Sequence, residues 1–144
     1  MMDRCLPGIN IKKPKTMLSC SYKILLAEDE RLIRFIISAF FKKCGCYVDE
    51  AKNGEEAIRL FETKKDYDMI LMDVHMPVMD GLMATEKIRR MEEAHKIKTR
   101  IIGISSDEHC KDKCYQHGMD DFYTKPLMIQ DIFGLMAGKM EKKD

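Results

Sequence analysis

Five residues that could do chemistry stand directly behind short apolar runs in this 144-residue chain. Glu28 and Asp29 follow residues 24–27, Asp73 follows 69–72, Ser105 follows 101–104, and Lys125, with Pro126 behind it, follows 122–124. A charge at the tip of an apolar run costs desolvation free energy unless something pairs with it. Two carboxylates about 4 Å apart repel by roughly 4 kcal/mol at an effective dielectric of 20. A convergent Glu28, Asp29 and Asp73 must therefore take up a proton or hold a cation. Hard oxygen donors with room for water suit Mg2+ or Mn2+. A lysine and a hydroxyl facing such a cation make a clamp for an anion with several oxygens, and a phosphoryl group fits that description.

The intervening residues say whether these five can meet. The run at 24–27 reads as a strand. Residues 31–43 have helical period, with Leu32, Ile33, Phe35, Ile36, Ile37, Phe40 and Phe41 on a broad apolar face and Gly45 placed for a left-handed cap. Residues 46–50 form a weaker, polar strand expected at an edge. Asn53 caps a second helix with Glu55 and Glu56 in its first turn. Strands follow at 69–72, 101–104 and 122–124. Helices are expected over 81–91, over 107–117 (polar, stopped by Gly118) and over 129–140, the last with Ile129, Ile132, Phe133, Met136 and Met140 on one face. Strict alternation of strand and helix predicts an α/β, doubly wound (βα)5 unit, a five-stranded parallel sheet in the flavodoxin-like order 2-1-3-4-5. Ligands of such sheets bind beyond the carboxyl ends of the strands, where all five residues stand. Strands 1 and 3 are neighbours in that order, so Glu28, Asp29 and Asp73 converge.

Composition narrows the setting. Lys plus Arg number 25 against 24 Asp plus Glu, a net charge of +1 that gives no electrostatic reason to expect nucleic acid. Residues 1–15 lack the apolar segment of a secretory signal, and the most apolar stretch, 32–41, is interrupted by Arg34 and too short to span a bilayer. The expected setting is cytoplasmic, or nuclear in a eukaryote, with no membrane insertion. Residues 1–22 read as a flexible tail, 23–140 as one domain and 141–144 as a charged tail, with no output domain expected behind the last helix. The six cysteines are expected as free thiols. The pairs Cys44/Cys46 and Cys110/Cys114 fall at opposite edges of the sheet, which argues against a shared zinc site. His75 reads as a surface side chain, His95, His109 and His117 have no ligand spacing, and the 13 methionines read mainly as core filler.

The segments KILLAEDE, ILMDVHMPVMDG, IIGISS and DFYTKP, in that order, resemble the receiver domain of two-component response regulators over about residues 23–140. The resemblance implies that Asp73 takes a phosphoryl group from phosphohistidine on a histidine kinase or a histidine phosphotransfer protein. It implies Mg2+ (or Mn2+) on Asp29, Asp73 and the backbone carbonyl of His75, with Glu28 acting mainly through water. Lys125 and Ser105 would hold phosphoryl oxygens, Phe122 would turn inward as the switch residue, and the Lys125-Pro126 bond would be cis. The protein would not be an enzyme beyond assisting its own phosphorylation and dephosphorylation. Glu28 stands where aspartate is commoner, Ser105 where threonine is frequent, Ser106 where alanine is usual, and Phe122 lacks the hydroxyl of the frequent tyrosine. Arg31 and Arg34, on the exposed edge of the first helix, are expected to meet a four-helix phosphotransfer partner. The downstream partner is not legible, and both a stand-alone regulator and a receiver from a hybrid kinase fit. Two alternatives stay beside this reading. One is a degenerate receiver serving as a constitutive binding module, against which the full set of five residues argues. The other is an aspartyl-phosphate phosphatase or phosphotransferase of the haloacid dehalogenase class, whose D-x-D-x-T pattern fails at His75.

Overall fold

The computed structural model describes residues 22–141. The elements run β1 (Lys23–Ala27), α1 (Arg31–Lys43), β2 (Tyr47–Ala51), α2 (Gly54–Lys64), β3 (Met69–Asp73), α3 (Gly81–His95), β4 (Arg100–Ser105), α4 (Lys111–Gln116), β5 (Asp121–Thr124) and α5 (Ile129–Glu141). Every strand pair is parallel and the order is β2-β1-β3-β4-β5, as the alternation predicts. The register sets Ala27 beside Met72 and Asp73 beside Ile104, which brings the ends of β1, β3 and β4 level.

Successive strand residues point to opposite faces of the sheet, and each face has its own core. Leu25, Ala27, Ile70, Met72 and Ile101 pack against Ala57, Phe61, Ala84, Ile88 and Cys114, which belong to α2, α3 and α4. Ile24, Leu26, Met69, Leu71 and Ile102 pack against Ile37, Phe41, Ile132, Leu135 and Met136 of α1 and α5. β3 is buried along its whole length because it lies in the middle of the sheet with helices over both faces. Two helix starts next to the site are fixed by side chains: Asn53 Oδ1 accepts from Glu56 N at 2.8 Å, and Asp80 Oδ1 accepts from Met83 N at 2.9 Å. Gly45 ends α1 at φ 91°, the left-handed conformation anticipated for it.

Several element ends differ from expectation. α3 continues past Met91 to His95 because Glu92, although acidic, is buried. Its carboxylate accepts from Thr99 N at 2.6 Å and from Arg89 Nη1 at 2.7 Å. The predicted helix over 107–117 divides into a 3-10 turn, Glu108–Cys110, and a short α4. The division follows from Asp107, whose Oδ1 accepts from His109 N at 2.9 Å and tightens the first turn. Tyr22, grouped by sequence with the tail, is half-buried; its hydroxyl donates to the Met136 carbonyl at 3.2 Å and its own carbonyl accepts from Tyr47 N at 2.8 Å. Residues 1–21 and 142–144 lie outside the described residues. No helix among the described residues is long and apolar enough to cross a membrane.

Candidate functional site at the carboxyl ends of β1 and β3

Two buried strands deliver two buried carboxylates to one spot. Glu28 is fully buried and Asp73 is 2% exposed, while Asp29, one residue on, faces solvent. Oxygen atoms of Glu28, Asp29 and Asp73 all lie within 4.8 Å of one another. Lys125 reaches over from the end of β5, with Nζ 3.0 Å from Glu28 Oε1 and 3.1 Å from Asp73 Oδ2. Its backbone N–H bonds the Ser105 carbonyl at 2.9 Å, and the Lys125-Pro126 peptide is cis.

The loop behind Asp73 is fixed by backbone bonds. Val74 N donates to the Ile104 carbonyl, and Gly81 N returns to the Val74 carbonyl, both at 2.9 Å. Only glycine fits at 81: a Cβ there would fall inside contact distance of the Asp73 carbonyl oxygen. His75 N points back to Asp73 Oδ1 at 3.3 Å. On the other side of the pocket Glu30 N donates to Glu28 Oε2 at 3.0 Å.

Burial, and next the neighbouring Glu28 carboxylate, push the Asp73 carboxyl up to about 7 against the pull of Lys125. For Lys125, burial favours the neutral amine, but Glu28 and Asp73 outweigh it and the ammonium is held above its ordinary range. One lysine does not satisfy the pocket. Glu28 Oε1 has the Lys125 charge beside it yet no well-directed hydrogen bond. Three converging carboxylates, one of them open to water, with a single ammonium against them, suit a small hard divalent cation. Glu28, Asp29 and Asp73 supply the converging oxygens that could hold it.

The other anticipated residues fall around this centre. Ser105 is buried, and its hydroxyl accepts from Asp107 N at 3.0 Å and donates to Cys110 Sγ at 3.9 Å. Phe122 is half-buried against the core face that carries Cys110, Cys114 and Met119. Arg31 is exposed, but Arg34 differs from the expectation of a docking residue on an exposed edge. Its Nη1 donates to the Glu28 carbonyl at 2.8 Å and to the Asp29 carbonyl at 3.4 Å, and its Nε sits 3.3 Å from Glu50 Oε1. It braces the acidic turn from below. The sequence reading missed one further grouping, His75, Asp107 and Cys110, whose ligand atoms also lie within 4.8 Å of one another. The signal was there: His75 stands two residues past β3 and Asp107 two past β4, and those strands are neighbours.

Comparison with known proteins places the chain. Residues 24–136 match the response regulator receiver domain family. The two-component response regulator ORR41 of Oryza sativa subsp. japonica is 40% identical over 120 residues, covering 80% of this chain and 91% of that protein. The hybrid signal transduction histidine kinase F of Dictyostelium discoideum is 38% identical over 123 residues, which are 83% of this chain but 11% of the kinase. The chain thus spans a small part of the hybrid kinases it resembles. Among solved structures, the Vibrio cholerae chemotaxis protein CheY4 superposes with a TM-score of 0.73 at 25% identity, over 82% of this chain and 98% of that one. The receiver domain of yeast Ssk1, solved with the histidine phosphotransfer protein Ypd1, gives 0.74 at 24% identity, over 78% and 83%. The chain belongs to the response regulator receiver domain family. It is a receiver domain of two-component or phosphorelay signalling, with the doubly wound sheet of the CheY-like receivers.

Proposed function

We propose that this receiver takes a phosphoryl group from phosphohistidine onto Asp73. The observation that carries the reading is the position of Lys125 Nζ, 3.0 Å from Glu28 and 3.1 Å from Asp73, at the point where the buried strands end. An Asp73 oxygen attacks phosphorus in line with the departing imidazole. A P–O bond forms, the P–N bond breaks, and its electron pair stays on the imidazole nitrogen of the donor. Asp29, Asp73 and the His75 carbonyl would hold Mg2+, which when bound offsets charge on the phosphoryl oxygens and on the carboxylates. Lys125 would neutralise the same oxygens, so the chain contributes positioning and fixed charge. Ser105 swings from Asp107 N and Cys110 onto a phosphoryl oxygen. Phe122, against the core beneath, follows into the space it leaves, and the surface of α4, β5 and α5 changes. The modification adds up to about two negative charges, enough to bias an existing equilibrium toward a partner-binding state.

The donor docks on α1. Leu32 and Phe35 are 68% and 62% exposed beside Arg31, an apolar patch with a basic rim at the mouth of the site. The complex of Ssk1 with Ypd1 supports a histidine phosphotransfer protein as the class of partner. The test is incubation with acetyl phosphate or phosphoramidate with and without Mg2+, followed by intact mass and site mapping. One base-labile phosphoryl group on Asp73, absent in Asp73→Asn and without Mg2+, is expected. An unmodified wild-type chain that also binds no metal would overturn the reading.

A further inference from the structure

We propose that His75, Asp107 and Cys110 form a second metal site, for a zinc-class transition ion, separate from the all-oxygen pocket. Cys110 Sγ is 3.6 Å from His75 Nε2 and 3.6 Å from Asp107 Oδ2. A tetrahedral zinc with bonds of about 2.3 Å to sulfur and about 2.0–2.2 Å to nitrogen or oxygen spaces sulfur roughly 3.5 Å from its co-ligands. Two edges of the coordination triangle are therefore already at the required length. The third, no longer than 4.8 Å, joins two exposed side chains that are able to rotate.

The ligands are supported as a site needs. Cys110 is 7% exposed and anchored in the core. Asp107 Oδ1 accepts from His109 N at 2.9 Å, which aims Oδ2 at the sulfur. His75 and Asp107 face solvent, giving the ion an entry and a fourth position for water. Donor chemistry separates the two sites a few residues apart: thiolate and imidazole select a softer ion, carboxylates and carbonyl select Mg2+.

The site has a consequence for the switch, which rests on the phospho-acceptor reading above. Both hydrogen-bond partners of the Ser105 hydroxyl, Asp107 N and Cys110 Sγ, belong to residues of the proposed site. Ion binding releases the Cys110 thiol proton to solvent and leaves a thiolate, a stronger acceptor for the Ser105 hydroxyl. It also ties the loop after β3 to the loop after β4. Occupancy therefore holds Ser105 away from Asp73 and opposes phosphorylation.

Cobalt(II) titrated into the full-length reduced protein, with Mg2+ present, tests the site. One equivalent should give a thiolate-to-cobalt charge-transfer band that zinc displaces. The band should vanish in Cys110→Ser, and affinity should fall tenfold or more in His75→Ala and Asp107→Asn, whose side chains are exposed. Cys114→Ala should keep the band. Absence of the band in the wild type, or its survival in Cys110→Ser, overturns the site. Acetyl phosphate labelling with and without equimolar zinc tests the consequence: a severalfold slower rate is expected in the wild type and no change in Cys110→Ser. Equal rates in a cobalt-binding wild type overturn the coupling. No labelling without zinc refutes the phospho-acceptor reading, while the cobalt band still decides the site.

Discussion

Lys125 Nζ stands 3.1 Å from Asp73 Oδ2 across the ends of β5 and β3, separated in sequence by 52 residues. It is the fixed positive charge of a pocket that otherwise holds carboxylates. Removing it in Lys125→Met leaves Glu28 and Asp73 buried together without a counter-charge. Phosphorylation by acetyl phosphate should then slow by about a hundredfold or more, the usual cost of losing a preorganised electrostatic contact. Lys125→Arg should recover little, because a planar fork does not replace a compact ammonium between two oxygens. Single-turnover labelling at saturating Mg2+ measures both.

Asp73 also sets a pH dependence. Its folded carboxyl is raised to about 7, above the ordinary 3.8. At low pH, folded and unfolded chains both carry it protonated and it costs nothing. As pH rises from about 4 to 7 the unfolded carboxyl ionises first, so stability falls, and above about 7 the penalty is constant. In chelator, Asp73→Asn should therefore exceed the wild type in stability by on the order of 2 kcal/mol at pH 8, and by nothing near pH 3.5. Denaturant melts at a series of pH values check the sign. A constant offset across the range would contradict it.

Asp29 and Glu28 should separate metal binding from stability. Asp29 is exposed and Glu28 fully buried. Asp29→Asn should weaken Mg2+ by tenfold or more and leave the melting temperature nearly unchanged. Glu28→Ala removes a buried partner of Lys125 and opens a void, so it should cost roughly 2–4 kcal/mol. Mg2+ titration followed by calorimetry, beside urea melts, distinguishes them.

The site was legible because strands buried on both faces end abruptly: four apolar residues before Asp73 mark both the strand and its tip. The topology then followed from strict alternation, which admits few arrangements. What escaped were features decided by tertiary partners. Glu92 looks like a surface acid until Thr99 N and Arg89 bury it, and only then does α3 run to His95. Arg34 has the sequence signature of an exposed cation, but the carbonyls of Glu28 and Asp29 turn it inward. His75 reads from the sequence as a surface side chain, and what the sequence does not show is that the Cys110 thiol comes up beside it and Asp107.

Gly81 tests how tightly Asp73 is held. A methyl group there meets the Asp73 backbone carbonyl, and Met72 Cγ at 2.8 Å. The obstruction is mainly backbone, so the loop has to shift. Gly81→Ala should cost about 1–3 kcal/mol and slow phosphorylation more than the stability loss accounts for, because Asp73 itself moves. Gly134 is the control, since a Cβ there meets nothing within 4 Å. Gly134→Ala, in the interior of α5, should gain about 0.5–1 kcal/mol and leave labelling unchanged.

Arg31 and Arg34 should divide docking from support. Arg34 holds the Glu28 and Asp29 carbonyls and pairs with Glu50, with its side chain 17% exposed. Arg34→Ala should lower stability by about 1–2 kcal/mol and weaken Mg2+, because the turn presenting Asp29 loses its brace. It should slow labelling by acetyl phosphate and by a phosphotransfer protein alike. Arg31 is exposed beside Leu32 and Phe35, so Arg31→Glu should spare stability and acetyl phosphate labelling. Transfer from a phosphorylated histidine phosphotransfer protein should fall severalfold, and more steeply at low salt, where exposed charges act at longer range. Equal losses with both donors would show that Arg31 acts on the pocket and would remove α1 as the docking face.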